Sequence, residues 1–233
     1  MKSEFSLSAY EEKDKIALQQ IEEGSLEISS NPFPSCGYLG LYPVIPSLEW
    51  LESLMQWGVQ HIQLRVKDVR DHALSMMIKK GIESAVKAGV KLWINDHWEF
   101  ALEHGAYGVH LGQEDLHDAD VEALRKAGIR LGLSTHCPFE IVRAYGLQPS
   151  YLALGPIFPT TSHSTPFPPQ GISALKEWQH RLPYTWVAIG GIQENNIEAV
   201  AQTGVQGIAL ISAITKASHP KIATENLLKK MVI

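Results

Sequence analysis

Cysteine is almost missing from this chain. Only Cys36 and Cys137 occur in 233 residues, neither within a ligand cluster at metal-site spacing. That pattern excludes a disulfide framework and fits a reducing compartment. Long apolar runs are missing too. No stretch approaches the roughly 20 residues of a membrane span, and the opening MKSEFSLSAYEEKDK lacks the apolar core of a secretion signal. The expectation is a cytoplasmic protein with no membrane partner. A surplus of positive charge is also absent: 20 Lys and Arg against 25 Asp and Glu leave a net charge of -5. Nucleic acid and anionic membranes are therefore poor partners. Any bound anion must be held by local basic groups and backbone amides.

What is present is a rhythm. Eight short apolar runs follow one another: Leu39 to Ile45, His61 to Leu64, Lys91 to Ile94, Tyr107 to Leu111, Arg130 to Leu133, Tyr151 to Leu154, Thr185 to Ile189 and Gly207 to Ile211. Between them lie segments with helical spacing, such as Leu48, Leu51, Leu54 and Met55, or Leu74, Met77, Ile78, Ile82 and Val86, several closed by a glycine as helix C-caps are. Short strands alternating with helices signal βαβ units and a parallel sheet. Eight such units in roughly 200 residues predict a (β/α)8 TIM barrel, with a doubly wound open sheet as the alternative. Ahead of it, Ser8 to Glu23 reads as one amphipathic helix and Ser29 to Pro34 as a linker. We therefore divide the chain into an N-terminal helical extension and linker, 1–36, and a barrel domain, 37–233. The extension reads as a packing or capping appendage, such as a closure for the bottom of the barrel.

In a parallel barrel, the carboxyl ends of the strands converge on one rim, where ligands bind. The residues that follow each strand are chemically distinctive here. The second strand runs into Gln63-Leu64-Arg65-Val66-Lys67-Asp68, with Arg65 and Lys67 two positions apart and so on one side of the chain. A diphosphate needs such charges, Arg as a planar fork and Lys as a point charge. The third and fourth strands lead to Asn95-Asp96 and to Gly112-Gln113-Glu114-Asp115. Asp96 and Asp115 on neighbouring strands are hard oxygen ligands suited to Mg2+ carrying phosphates; each could instead be a helix N-cap. Ser134-Thr135-His136 follows the fifth strand, where Ser134 could equally cap the next helix. A long loop rich in hydroxyls, Gly155 to Ser164, follows the sixth and is a candidate clamp. Gly190-Gly191 and Ser212 follow the last two strands, where many barrels bind phosphate.

Seven blocks in this order and spacing, QLRVKD, INDHWEFAL, GAYGVHLGQEDL, LGLSTH, GPIFPT, AIGGI and ALISAI, resemble the thiamine-phosphate synthase family. The resemblance spans about Gly37 to Thr215 and leaves the extension outside it. It implies a TIM-barrel transferase that joins 4-amino-2-methyl-5-(diphosphooxymethyl)pyrimidine to 4-methyl-5-(2-phosphooxyethyl)thiazole, releasing diphosphate. On that resemblance Gln63, Leu64, Arg65, Val66, Lys67, Asn95 and Ser134 contact the pyrimidine diphosphate, and Asp96 and Asp115 hold Mg2+. Thr160, Thr161, Ser162, Gly191, Ile211 and Ser212 contact the thiazole phosphate. Arg65, Lys67, Ser134 and His163 are then the catalytic candidates.

Two positions depart from the family pattern. Where the family usually has Thr-x-Thr-Lys in the sixth loop, with the Lys on the diphosphate, this chain has Thr160-Thr161-Ser162-His163. A histidine carries charge only when protonated, so weaker or more pH-dependent activity is expected. Val66 stands where a Glu is common. The rival readings are a thiazole tautomerase on the same barrel, with His136 as acid/base group, and a non-catalytic protein that binds the thiazole phosphate. The intact Gln113-Glu114-Asp115 block and Asp96 favour the synthase over the tautomerase, and Arg65, Lys67, Asn95, Asp96, Asp115 and Ser134 together favour it over the non-catalytic binder. The sequence leaves the oligomeric state open, a homo-oligomer included.

Overall fold

Every strand of this protein alternates two chemistries, and the fold follows from that. A computed structural model describes residues 8–67, 71–161 and 165–231. Eight parallel strands close into a barrel in chain order: β1 (Gly40–Ile45), β2 (His61–Leu64), β3 (Lys91–Asn95), β4 (Gly108–Leu111), β5 (Arg130–Thr135), β6 (Tyr151–Leu154), β7 (Trp186–Ile189) and β8 (Gly207–Leu210). The closing pair is β8 with β1, where Gly40 to Pro43 lie opposite Gly207 to Leu210. Closure rules out the open doubly wound sheet.

One set of alternate residues faces outward. Leu41, Ile45, Ile62, Leu64, Leu92, Ile94, Val109, Leu111, Leu131, Leu133, Leu152, Leu154, Ile208 and Leu210 join one large aliphatic cluster with the helices. The helices supply matching stripes: Leu51 and Leu54 from α2 (Leu48–Gln56), and Leu74, Ile78 and Ile82 from α3 (Asp71–Ala88). Four further helices complete the first half of the ring and begin the second: α4 (Trp98–Glu103), α5 (Asp115–Asp118), α6 (Val121–Lys126) and α7 (Pro138–Gly146). The rest is covered by α8 (Gly171–Arg181), α9 (Ile197–Ala201), α10 (Ser212–Thr215) and α11 (Pro220–Lys230).

The other set fills the barrel. Tyr42, Val44, Trp93, Tyr151, Ala153, Val187 and Ala209 form a separate buried cluster. Three rings meet edge to face: Tyr42 with Trp93 at 6.1 Å, Tyr42 with Tyr151 at 5.9 Å, and Trp93 with Tyr151 at 5.0 Å. Rings of this size fit only because glycines face them. A Cβ on Gly108 would sit 2.4 Å from the Trp93 ring, and one on Gly132 2.1 Å from Tyr151. Gly108 is the strand partner of Trp93 and Gly132 that of Tyr151, so each ring lies across the bare backbone next to it.

The N-terminal helix, α1 (Ser8–Glu23), spans the residues expected for it. It does not plug the barrel. It packs outside, against α7, where Asp14 Oδ1 accepts a hydrogen bond from Phe139 N at 2.9 Å and Tyr10 meets the Phe139 and Phe167 rings edge on. The linker after it does the closing. Arg125 donates to Asn31 O and stacks on Phe33, Arg130 Nε donates to Ser35 O, and Leu39 N donates to Gln206 O.

Candidate active site

β3 delivers the first acidic residue through an unusual turn. Asn95 closes the strand in register with His110, and Asp96 then takes φ 62°. The left-handed region is costly for a residue with a Cβ, and short polar side chains such as Asp bear it best. Asp96 is held there by its own N–H on His110 O at 2.9 Å and by the N–H of Trp98 on its carbonyl at 2.7 Å. Strain of this kind gathers at ligand sites. Burial, then the negative charge of Asp115, push the Asp96 carboxyl up to about 6, while Arg65 and a hydrogen bond from Asn95 pull the other way. The structure therefore brings Arg65, Asn95, Asp96 and Asp115 together at one rim. Neither aspartate occupies an N-cap position: His97 holds that position for α4 and Glu114 for α5. Asp120, by contrast, does cap, accepting from Ala123 N at 2.9 Å.

Arg65 extends the β2 ladder by one bond, its N–H reaching Ile45 O at 2.8 Å. Its charge acts on both Asp96 and His110. Lys67 is exposed. The intervening side chains face the other way. Leu64 and Val66 are 1% and 9% exposed within the aliphatic cluster, so only their backbone atoms can meet a ligand. Gln63 is buried on the inner face, opposite Val44 and Trp93.

β5 runs two residues further than its apolar run suggests. Ser134 and Thr135 pair with Ala153 and Leu154, and Thr135 Oγ1 donates to Ala153 O at 2.9 Å. Ser134 is thereby fixed on the inner face and is not a helix cap; Cys137 holds the N-cap position of α7. Its hydroxyl lies 2.8 Å from His110 Nε2, and its carbonyl accepts from Gln113 Nε2 at 2.7 Å. Burial, with the charges of Arg65 and His136, holds the His110 ring neutral, its pKa pushed down to about 3. His136 places its backbone N–H and Nδ1 on one oxygen of the buried Glu140, at 2.9 and 2.8 Å, with the Phe167 ring stacked on it.

The loops after β6 and β7 are locked together. Ile157 N donates to Ile189 O and Phe158 N to Gly190 O. Gly191 takes φ 67°, and a Cβ there would lie 2.5 Å from Pro159 O. Asn196 Nδ2 donates to Gly191 O, and Gln193 Nε2 to Ser212 Oγ at 3.2 Å, leaving the Ser212 proton free to donate. Thr160, Ile211 and Ser212 are half-buried and Thr161 is exposed. Ser162 and His163 lie outside the described residues.

The sequence alone did not single out three side chains, His110, Tyr42 and Tyr151, which lie beneath Ser134, and it gave Gln113 no role as the brace of Ser134. The available signal was strand parity. Gly108 and His110 alternate with Val109 and Leu111, which marks His110 as inward-facing. A cavity of about 640 Å³ opens elsewhere, between the linker and the loops entering β6 and β7, lined by Phe33, Gln148, Tyr184 and Gln206 among others. It has no charged lining residue and lies apart from the rim groups. Among the described residues no cluster of three or more His, Cys, Asp or Glu gathers.

A parallel eight-stranded barrel with paired carboxylates, an arginine and glycine-lined loops on its C-terminal rim has the layout of enzymes that hold phosphorylated substrates. The family model described as thiamine monophosphate synthase matches residues 41–214. A thiamine-phosphate synthase of Photorhabdus laumondii is 50% identical over 199 residues, covering 84% of this chain and 92% of that protein. One of Pectobacterium atrosepticum is 48% identical over 205 residues, covering 86% and 95%. A solved thiamine phosphate pyrophosphorylase of Pyrococcus furiosus superposes with a TM-score of 0.74 at 30% identity, over 83% of this chain and 95% of that one. The chain belongs to the thiamine monophosphate synthase family. The expectation raised by the seven blocks holds for family, fold and transferase class.

Proposed function

We propose that this chain joins the pyrimidine diphosphate to the thiazole phosphate, releasing diphosphate and giving thiamine phosphate. The observation that carries this reading is the Asp96 carboxyl on the rim, near enough to Asp115 and to Arg65 for both charges to act on it. Two carboxylates that repel one another are a poor arrangement alone and a good one around a divalent cation. Mg2+ in particular binds through one or two carboxylates plus substrate phosphates and water. The donor set thus fits Mg2+, which when bound supplies positive charge against the departing diphosphate.

The chain's own groups do the rest. Arg65 offers a planar fork to the diphosphate and Lys67 a mobile charge, so negative charge developing on the leaving oxygen is met as the carbon–oxygen bond breaks. The thiazole nitrogen then bonds to the freed methylene carbon, and no protein nucleophile is required. Gly191 and Ser212 offer a backbone N–H and a hydroxyl to the thiazole phosphate, with Thr160 and Thr161 on the facing loop. Ser134 and Asn95 bind the pyrimidine diphosphate from the inner face. Holding two substrates in line contributes much of the acceleration. The partners are small molecules, and a cytoplasmic location fits the composition; no helix among the described residues is long and apolar enough to cross a membrane.

The test is a coupled diphosphate-release assay with both substrates, with and without Mg2+. Release that needs both substrates and the metal supports the synthase. Binding of thiazole phosphate without release overturns it in favour of a non-catalytic binder. One observation speaks for the tautomerase: His136 is paired with a buried carboxylate, as an acid/base imidazole would be. Isomerisation of the thiazole carboxylate phosphate without metal would favour that reading.

A further inference from the structure

Beneath the rim, five side chains from five different strands form one unbroken hydrogen-bonded chain. Gln63 Nε2 on β2 donates to the Tyr42 hydroxyl on β1 at 3.0 Å. Tyr42 and Tyr151 of β6 share a hydrogen bond at 3.1 Å, and the Tyr151 hydroxyl lies 2.7 Å from His110 Nδ1 on β4. His110 Nε2 reaches Ser134 Oγ on β5 at 2.8 Å. Tyr42, Gln63, His110 and Tyr151 are all buried, and Ser134 alone opens to the rim.

Counting protons gives this chain a direction. A phenol has one O–H, and a neutral imidazole one N–H. Tyr42 accepts from the Gln63 amide, and Tyr151 is the acceptor within reach of its own buried proton, so that proton goes to Tyr151. The Tyr151 proton then goes to His110 Nδ1. That leaves the imidazole proton on Nε2, where it donates to Ser134 Oγ. Ser134 accepts from below and keeps its own proton for the ligand above. Hydrogen bonds in series polarise one another in a low-dielectric interior, so the last donor is strengthened.

We propose that Tyr42, Tyr151 and His110 are positioning residues that hold Ser134 as a hydrogen-bond donor to the pyrimidine diphosphate. The assignment rests on the synthase reading for the identity of that ligand. It goes beyond it in giving three residues a role and Ser134 a fixed polarity. All three are buried beneath Ser134, which alone opens to the rim, so each acts through Ser134. Gly132 serves the same chain, because Tyr151 lies across its bare backbone where a Cβ would meet the ring and its hydroxyl.

The test has an activity arm and an arm independent of turnover. Tyr151→Phe keeps the ring and removes the link. It should lower kcat/KM for the pyrimidine diphosphate about tenfold, the scale of one lost buried hydrogen bond, with KM for the thiazole phosphate unchanged. In a Ser134→Ala background the same change should cost less than about twofold, since the relay has lost its output. Effects that multiply across the two sites would overturn the proposal and leave Tyr151 a packing residue. The second arm reads the His110 tautomer in the unaltered protein from its imidazole 15N shifts. An Nε2–H tautomer is expected; an Nδ1–H tautomer means the chain runs from Ser134 toward Gln63 and overturns the assigned polarity. A protein that releases no diphosphate contradicts the synthase reading alone, because the tautomer measurement stands without it.

Discussion

The two faces of the same sheet are built on opposite principles. The outer face is aliphatic, and its members Ile62, Leu92, Val109, Leu131 and Ile208 are near-fully buried against helices. Any branched residue of similar volume would serve most of those positions, because burial there is non-directional. The inner face carries rings, amides, an imidazole and glycines. Its members are joined by directed hydrogen bonds and by ring-over-glycine contacts. The outer face makes the barrel stable, and the inner face makes it specific. A change on one side should therefore be read mainly in stability, and a change on the inner side or its rim mainly in chemistry.

The largest separation of the two is expected at Asp96. Asp96→Asn should lower turnover by about three orders of magnitude, the scale found for a lost electrostatic stabiliser. Its stability should move the other way. The folded-state pKa of about 6 lies above the unfolded value of roughly 4, so ionising this group opposes folding. Its contribution is fully present below about pH 4 and is lost as the pH rises through 6. At pH 7 the neutral Asn relieves that penalty, and thermal unfolding should show no loss of Tm. A fall in Tm together with activity would mean that Asp96 holds the fold rather than the ligand.

Gly132→Ala against Ile208→Val breaks the comparison from the stability side. The added Cβ would sit 2.1 Å from the Tyr151 ring, which cannot retreat without leaving Tyr42 and His110. Overpacking of that kind costs roughly 3 kcal/mol, whereas trimming one outer methyl costs about 1 kcal/mol. Urea unfolding of both variants measures the difference. Equal losses would show that the inner face is no less forgiving than the outer. A smaller effect is expected at Asp115. Removing its charge in Asp115→Asn leaves burial as the main cause holding Asp96 high, so the Asp96 titration should fall by about one pH unit. Carboxyl 13C shifts followed from pH 3 to 8 read this directly.

The contrast also explains what could be read from the sequence. The outer face announces itself as runs of Leu, Ile and Val at period two, and it fixed all eight strands within a residue or two. The rim was legible because Arg65, Asp96 and Asp115 fall just past those runs. The inner face was not. Tyr42, Trp93 and Tyr151 look like ordinary strand aromatics, and a glycine inside a strand gives no hint of which ring will cover it. Register decides that, and register is a long-range property: Gly132 meets Tyr151 across 19 positions, and Tyr42 meets Tyr151 across 109. Asp14, which satisfies the first turn of α7 in place of a local cap, was hidden for the same reason.

The smallest predicted effect asks whether the division extends to the loops. His163 stands where the family usually carries a lysine, and a neutral imidazole can donate only one hydrogen bond to a diphosphate oxygen. Lysine at this position brings a full charge across the physiological range. His163→Lys should therefore raise turnover about threefold at pH 8, a gain of about 0.7 kcal/mol at the transition state. At pH 6, where an ordinary histidine is largely protonated, the gain should shrink toward nothing. The rate–pH profile of the two proteins should thus converge on the acid side and diverge on the alkaline side. Parallel profiles would remove His163 from the diphosphate's surroundings, and the charge that meets the leaving group would then come from Arg65 and Lys67 on the second strand.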